Sequence, residues 1–80
     1  MANNVDTFEV TGEIEETLPN MMFRVHITAG PEDLIGKTVL ATIAGKMKMY
    51  RIKVMLGDVV RVAVSKYDTA RGRITFRERT

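Results

Sequence analysis

Phe8-Glu9-Val10-Thr11-Gly12-Glu13-Ile14 is the stretch whose period decides the fold. Phe8, Val10, Gly12 and Ile14 fall on one face; Glu9, Thr11 and Glu13 fall on the other. An apolar residue at every second position, with branched side chains among them, predicts a strand that buries one face. Gly12 inside that pattern predicts a bulge or bend.

The same period recurs along the chain. Pro19-Asn20 marks a turn, after which Phe23, Val25 and Ile27 alternate with Arg24 and His26 as a second strand. Gly30-Pro31 to Gly36 reads as a loop carrying Glu32 and Asp33, and Val39, Ala41 and Ile43 form a third strand. Beyond Gly45, residues Lys46 to Tyr50 predict a short helical turn, and Ile52, Val54 and Leu56 alternate as extended chain. Gly57-Asp58 is a turn signal. Val60, Val62 and Val64 make a fourth strand, and Tyr67-Asp68 through Gly72 a polar turn. Ile74 and Phe76 alternate with Arg73, Thr75 and Arg77 in a fifth strand, which places Phe76 in the core.

Five short strands suit an all-β closed barrel, because closure removes exposed strand edges. The reading is a five-stranded oligonucleotide/oligosaccharide-binding (OB) fold barrel with a short helical turn between strands three and four. A five-stranded SH3-like barrel fits the same pattern. At 80 residues the chain is one domain, 1–80, with 1–6 and 78–80 read as tails. An apolar fraction of 45% is that of a folded chain.

Composition narrows the chemistry. With no cysteine and one histidine (His26), the chain offers no disulfide, no thiolate zinc site and no multi-histidine metal site. Ser65 is the only serine, and nothing in the spacing supplies it with a base and an orienting group. Glu13, Glu15 and Glu16 fit a solvated strand face better than an acid/base pair. No phosphate-cradling glycine motif is present. The N-terminus has no basic segment leading into an apolar one, and no apolar run is long enough to span a membrane. The expectation is a soluble, cytoplasmic, non-enzymatic domain without cofactor.

Net charge is only +2, but it is unevenly placed. Residues 1–40 hold two basic and seven acidic side chains; residues 41–80 hold ten basic and three acidic. A basic half gains affinity for nucleic acid by releasing counterions from phosphates. Lys46, Lys48, Arg51 and Lys53 interleave with Met47, Met49 and Tyr50. Lys66, Arg71, Arg73, Arg77 and Arg79 bracket the last turn and strand, near Tyr67. In strand geometry Arg73, Thr75, Arg77 and Arg79 share one outward face. Arginine binds phosphate bidentately and stacks on bases, and Tyr50 and Tyr67 offer stacking surfaces.

The strings LPNMMFRV (18–25), AGKM (44–47), LGD (56–58), YD (67–68) and RGRITFR (71–77) occur in an order and spacing that resemble bacterial-type translation initiation factor one. The resemblance covers residues 8–79. It implies an OB-fold protein that binds the A site of the small ribosomal subunit and keeps elongator tRNA out. It implies contact with ribosomal RNA and a neighbouring ribosomal protein, and cooperation with initiation factors two and three. No catalysis and no cofactor follow from it, and the protein off the ribosome is expected to be a monomer. A plastid-encoded member would act in the organelle stroma. On matching positions it implies RNA contact by Lys46, Lys48, Lys53, Tyr67, Arg71, Arg73 and Arg77, and more weakly by Arg24. Arg51 and Arg79 are nominated from charge and position. Two features depart from the family pattern. The connection between strands two and three is about six residues longer by comparison of the two patterns, consistent with the small entropic cost of lengthening a loop. The family's tyrosine before Ile-Arg-Ile falls at Arg51, with Tyr50 one place earlier. Two other readings are a cold-shock-like single-stranded RNA binder, which calls for clustered surface aromatics, and a protein-interaction barrel that meets its partner through the acidic half.

Overall fold

A computed structural model of the protein describes residues 7–45 and 54–78. The predicted helical turn at Lys46–Tyr50 lies outside the described residues. Five strands form in chain order: β1 (Thr7–Leu18), β2 (Met22–Ala29), β3 (Thr38–Ile43), β4 (Val59–Ser65) and β5 (Arg71–Glu78). They close into a barrel in the order β1-β2-β3-β5-β4, with β4 returning to β1. All neighbours are antiparallel except β3 and β5, which run parallel. The last strand reaches Glu78, opposite Val59, so Glu78 belongs to the barrel rather than to a tail.

β1 closes the barrel because it pairs with two strands. Its first half faces β4 from Thr7 to Glu13, and its second half faces β2 from Thr11 to Leu18. The two pairings overlap from Thr11 to Glu13. Thr11 faces Ala29 and Gly12 faces Ile27, so Thr28 is the extra residue of a bulge on β2; Glu15 is the extra residue of a bulge on β1. A side chain at Gly12 would start 2.5 Å from Val25 Cγ1 and 2.6 Å from the His26 carbonyl oxygen. Backbone cannot yield there as a flexible side chain would, so the close approach of β2 requires glycine; the bulge expected at Gly12 falls instead on the facing strand, at Thr28.

The core is the set of residues that the period-two pattern turns inward. Val10, Ile14, Val25, Ile27, Val39, Val60, Val62, Val64 and Ile74 are fully buried, and no buried side chain among the described residues is polar. Removing such aliphatic surface from water stabilises the fold by about 25 cal/mol per Å².

Two parts of the connections enter the core. Leu34, in the long β2–β3 connection, is buried. That connection is a hydrogen-bonded turn rather than a loose insertion. Leu34 N donates to Pro31 O at 2.9 Å, Lys37 N to Leu34 O at 3.0 Å and Gly36 N to Ile27 O at 2.9 Å. Val54 is also buried, whereas Leu56 is exposed in the turn before β4. The expected alternation through Leu56 stops there because Gly57, at φ +88°, reverses the chain. Gly57 N then donates to Ile14 O, and Ile14 N to Asp58 O, both at 2.9 Å. No helix among the described residues is long and apolar enough to cross a membrane.

Candidate nucleic-acid interface

The barrel register collects arginines from distant parts of the chain. Arg24 on β2 stands opposite Leu40 on β3, which stands opposite Arg71 on β5. In the adjacent row, Met22 faces Thr42, Thr42 faces Arg73, and Arg73 faces Ala63 on β4. Partners directly opposite in a ladder share a face of the sheet. Arg24, Arg71 and Arg73 are therefore on one outer surface, although 49 positions separate Arg24 from Arg73 in the numbering.

Two shallow clefts lie on this surface and share Arg71. One, of about 440 Å³, includes Thr42, Ser65, Arg71, Arg73 and Thr75 in its lining. The other, of about 390 Å³, includes Arg24, Thr38, Leu40 and Arg71. Guanidinium and hydroxyl donors on an open surface suit phosphate and sugar oxygens.

The turn between β4 and β5 borders the first cleft and is held by side chains. Ser65 Oγ accepts from Tyr67 N at 3.0 Å and from Asp68 N at 3.2 Å. Asp68 Oδ1 accepts from Ala70 N at 3.2 Å. Ala70 O in turn accepts from Leu40 N at 2.9 Å, fastening the turn to β3. Tyr67 projects from this turn with 83% of its surface exposed. Lys66 Nζ sits 5.3 Å from the centre of the Phe8 ring.

The cations differ in how far carboxylates already occupy them. Arg24 Nε lies 3.2 Å from Glu16 Oε1, and Arg71 Nε lies 3.9 Å from Asp68 Oδ2. Arg73 has no carboxylate partner among the described residues. The exposed pairs are weak, typically 0–1 kcal/mol, so a phosphate can displace the acidic partner.

Arg77 is not brought to this surface. The β4–β5 register skips one residue: Arg61 faces Phe76, while Val62 faces Ile74. Thr75 is the extra residue of a bulge, and a bulge reverses the faces beyond it. Arg77 consequently stands opposite the buried Val60, with its Nε 3.2 Å from Asp58 Oδ2. The outward row expected from Arg73 through Arg77 breaks at Thr75. The same bulge overturns the assignment of Phe76 to the core: the residue is 52% exposed, and Arg61 Cζ lies 5.3 Å from the centre of its ring.

Of the residues nominated from sequence, the fold gathers Arg24, Lys66, Tyr67, Arg71 and Arg73 around the two clefts and the turn beside them. Lys46, Lys48, Tyr50, Arg51, Lys53 and Arg79 lie outside the described residues. The fold adds Arg61, the single basic residue in the valine-rich β4; its alternation with Val60 and Val62 is the sequence signal for an outward cation. Among the described residues, no group of three His, Cys, Asp or Glu side chains is placed to hold a metal ion.

A closed five-stranded barrel with this strand order and an arginine-lined outer face defines a small OB-fold protein. The chain belongs to the translation initiation factor 1A / IF-1 family, whose model matches residues 2–80. It is similar to translation initiation factor one from the Wolbachia endosymbiont strain TRS of Brugia malayi. That likeness has 29% identity and a TM-score of 0.71, and covers 98% of this chain and 84% of the other. It is also similar in fold to YjeQ from Thermotoga maritima, at 22% identity and a TM-score of 0.66. There 89% of this chain matches 23% of the longer one, and the likeness shows the fold alone. The family and the fold agree with those expected from the residue strings.

Proposed function

We propose that this translation initiation factor binds the A site of the small ribosomal subunit through ribosomal RNA, excluding elongator tRNA while initiation factors two and three assemble. Family membership over residues 2–80 is the observation that carries this function. The outer surface supports it: Arg24, Arg71 and Arg73 are positioned for phosphates, with Lys66 and Tyr67 on the turn beside them. Lys46, Lys48, Tyr50, Arg51, Lys53 and Arg79 are proposed as further RNA contacts on their charge, their aromatic character and the family resemblance. Arg77, paired with Asp58 at the far end of β5, stands apart from this surface. Shape and phosphate contacts position the protein, and exposed bases supply the remaining contacts. The protein acts as a cytoplasmic monomer without catalysis or cofactor, and a ribosomal protein near the A site completes the contact.

Fluorescence anisotropy of labelled protein with purified small subunits tests this function. Saturable binding that falls steeply with salt and is displaced by tRNA at the A site is expected. Equal affinity for an unstructured oligonucleotide would instead mark a general single-stranded RNA binder. Absence of binding at low salt, with initiation factors two and three present, would refute the proposal.

A further inference from the structure

Phe76 occupies an unusual position. It is one of five aromatic residues in the chain, and the bulge at Thr75 turns it out of the barrel. Bulges commonly re-aim a side chain near a functional site. The ring stands outside the sheet directly opposite Arg61, whose guanidinium lies 5.3 Å from its centre. Arg61 Nε is fixed by Glu78 Oε2 at 2.6 Å. This bond engages one of the five N–H donors, and the Arg61 side chain stays about half exposed.

The platform is continuous with the arginine surface. Along β5, Arg73 precedes Thr75 and Phe76 on the outer face, and Thr75 and Arg73 both line the 440 Å³ cleft. At about 3.3 Å per residue, roughly 10 Å of strand separates Arg73 from Phe76. A single strand with a phosphate at Arg73 can therefore bring a neighbouring base to the ring. The arginine surface lies on β2, β3 and β5, whereas the platform lies around the barrel on β4 and β5.

We infer that Phe76 and Arg61 form a second RNA contact, a stacking platform for one unpaired nucleobase whose backbone is held at Arg73. The inference rests on the proposed binding to the small subunit. Glu78 neutralises the Arg61 charge and orders its plane, so the platform contributes stacking rather than phosphate attraction. Its contribution is consequently insensitive to salt, in contrast to that of Arg73.

The test compares wild type with Phe76→Leu, Phe76→Trp and Arg73→Ala in small-subunit binding, each variant first checked for a wild-type thermal melt. Phe76→Leu keeps an apolar side chain at a half-exposed position and should fold. It should weaken binding about fivefold or more at every salt concentration, since a stacked base contributes a factor of about five to more than a hundred. Phe76→Trp should restore affinity, and its indole fluorescence should be quenched on the subunit; the wild type, with no tryptophan, is the blank. Binding of Phe76→Leu within twofold of wild type, while Arg73→Ala is weakened, would overturn the platform alone. Weakened Phe76→Leu with an unquenched Phe76→Trp complex would also overturn it, pointing to a protein rather than a base against the ring. Failure of wild type to bind small subunits would remove both this inference and the function beneath it.

Discussion

Replacing Arg73 by Gln removes the one arginine of the β2–β3–β5 surface that has no carboxylate partner among the described residues, so the measured loss is undiluted by competition. Neutralising about six phosphates gives a log–log salt slope of roughly −4 to −5, at about 0.7 to 0.9 per phosphate. Arg73→Gln should make the slope shallower by about 0.7 to 0.9. Because the electrostatic term vanishes near 1 M salt, the deficit at 0.1 M is about five- to eightfold, or about 1 kcal/mol. Arg24→Gln should cost less. Arg24 is already 3.2 Å from Glu16, with both side chains about half exposed. Such a pair is worth about 0.2 to 1 kcal/mol, which RNA binding must first give up. The net loss for Arg24→Gln is then between nothing and about sixfold. Anisotropy titrations against small subunits at four or five salt concentrations measure both quantities. A folded Arg73→Gln protein with an unchanged slope would refute the assignment of a phosphate to Arg73. A larger loss at Arg24 than at Arg73 would refute the role given to carboxylate competition.

Three further predictions concern the scaffold. Gly12→Ala places a methyl within 2.6 Å of the His26 carbonyl and should destabilise by about 2 to 3 kcal/mol, a drop of about 10 to 20 °C in Tm; a melt within 3 °C of wild type would disprove the close-approach account. Asp58→Ala removes the partner of Arg77 and the acceptor 2.8 Å from Met55 N, and should cost about 1 to 2 kcal/mol in urea unfolding. Loss of subunit affinity with no loss of stability would assign Asp58 a binding role instead. Leu34→Ala should cost about 2 to 4 kcal/mol by opening a cavity at the buried end of the β2–β3 connection, and an unchanged urea midpoint would show that Leu34 contributes little to the core.

The five strands were legible because period-two patterning reports burial directly. Val60, Val62 and Val64 alternate in the chain and are all fully buried. Gly12 was legible as a special position because a glycine inside a strand rarely lacks a steric cause, but that cause is the close approach of β2 rather than a bulge at Gly12 itself. Alternation running onward from Ile74 turns Phe76 inward, and the bulge reverses that phase. A bulge inserts one residue without a residue type to announce it, and Thr75 is an ordinary strand residue. The gathering of Arg24 with Arg71 and Arg73 depends on the parallel β3–β5 pairing, a tertiary fact absent from local spacing. Charge asymmetry indicated a basic half, yet Arg24 comes from the acidic half and reaches the surface through strand order alone. Leu34 escaped notice because its neighbours Glu32, Asp33 and Gly36 read as solvent-facing loop.

That connection admits a test that separates its two possible roles. Deleting the extra residues would remove Leu34 from the core and the bonds that join Gly36 to Ile27, so a loss of binding would report unfolding as readily as a lost contact. Glu32→Gln with Asp33→Asn removes both charges and keeps Leu34 and the turn. Both side chains are exposed and make no ion pair among the described residues, so stability should stay within about 0.5 kcal/mol. Subunit affinity should stay within about twofold, because the turn's bonds and its buried leucine account for the segment as a barrel closure. A tighter complex would mean that these charges repel RNA, and a weaker one that they meet a basic protein. A shift beyond threefold in either direction, with the melt unchanged, would overturn the purely structural role.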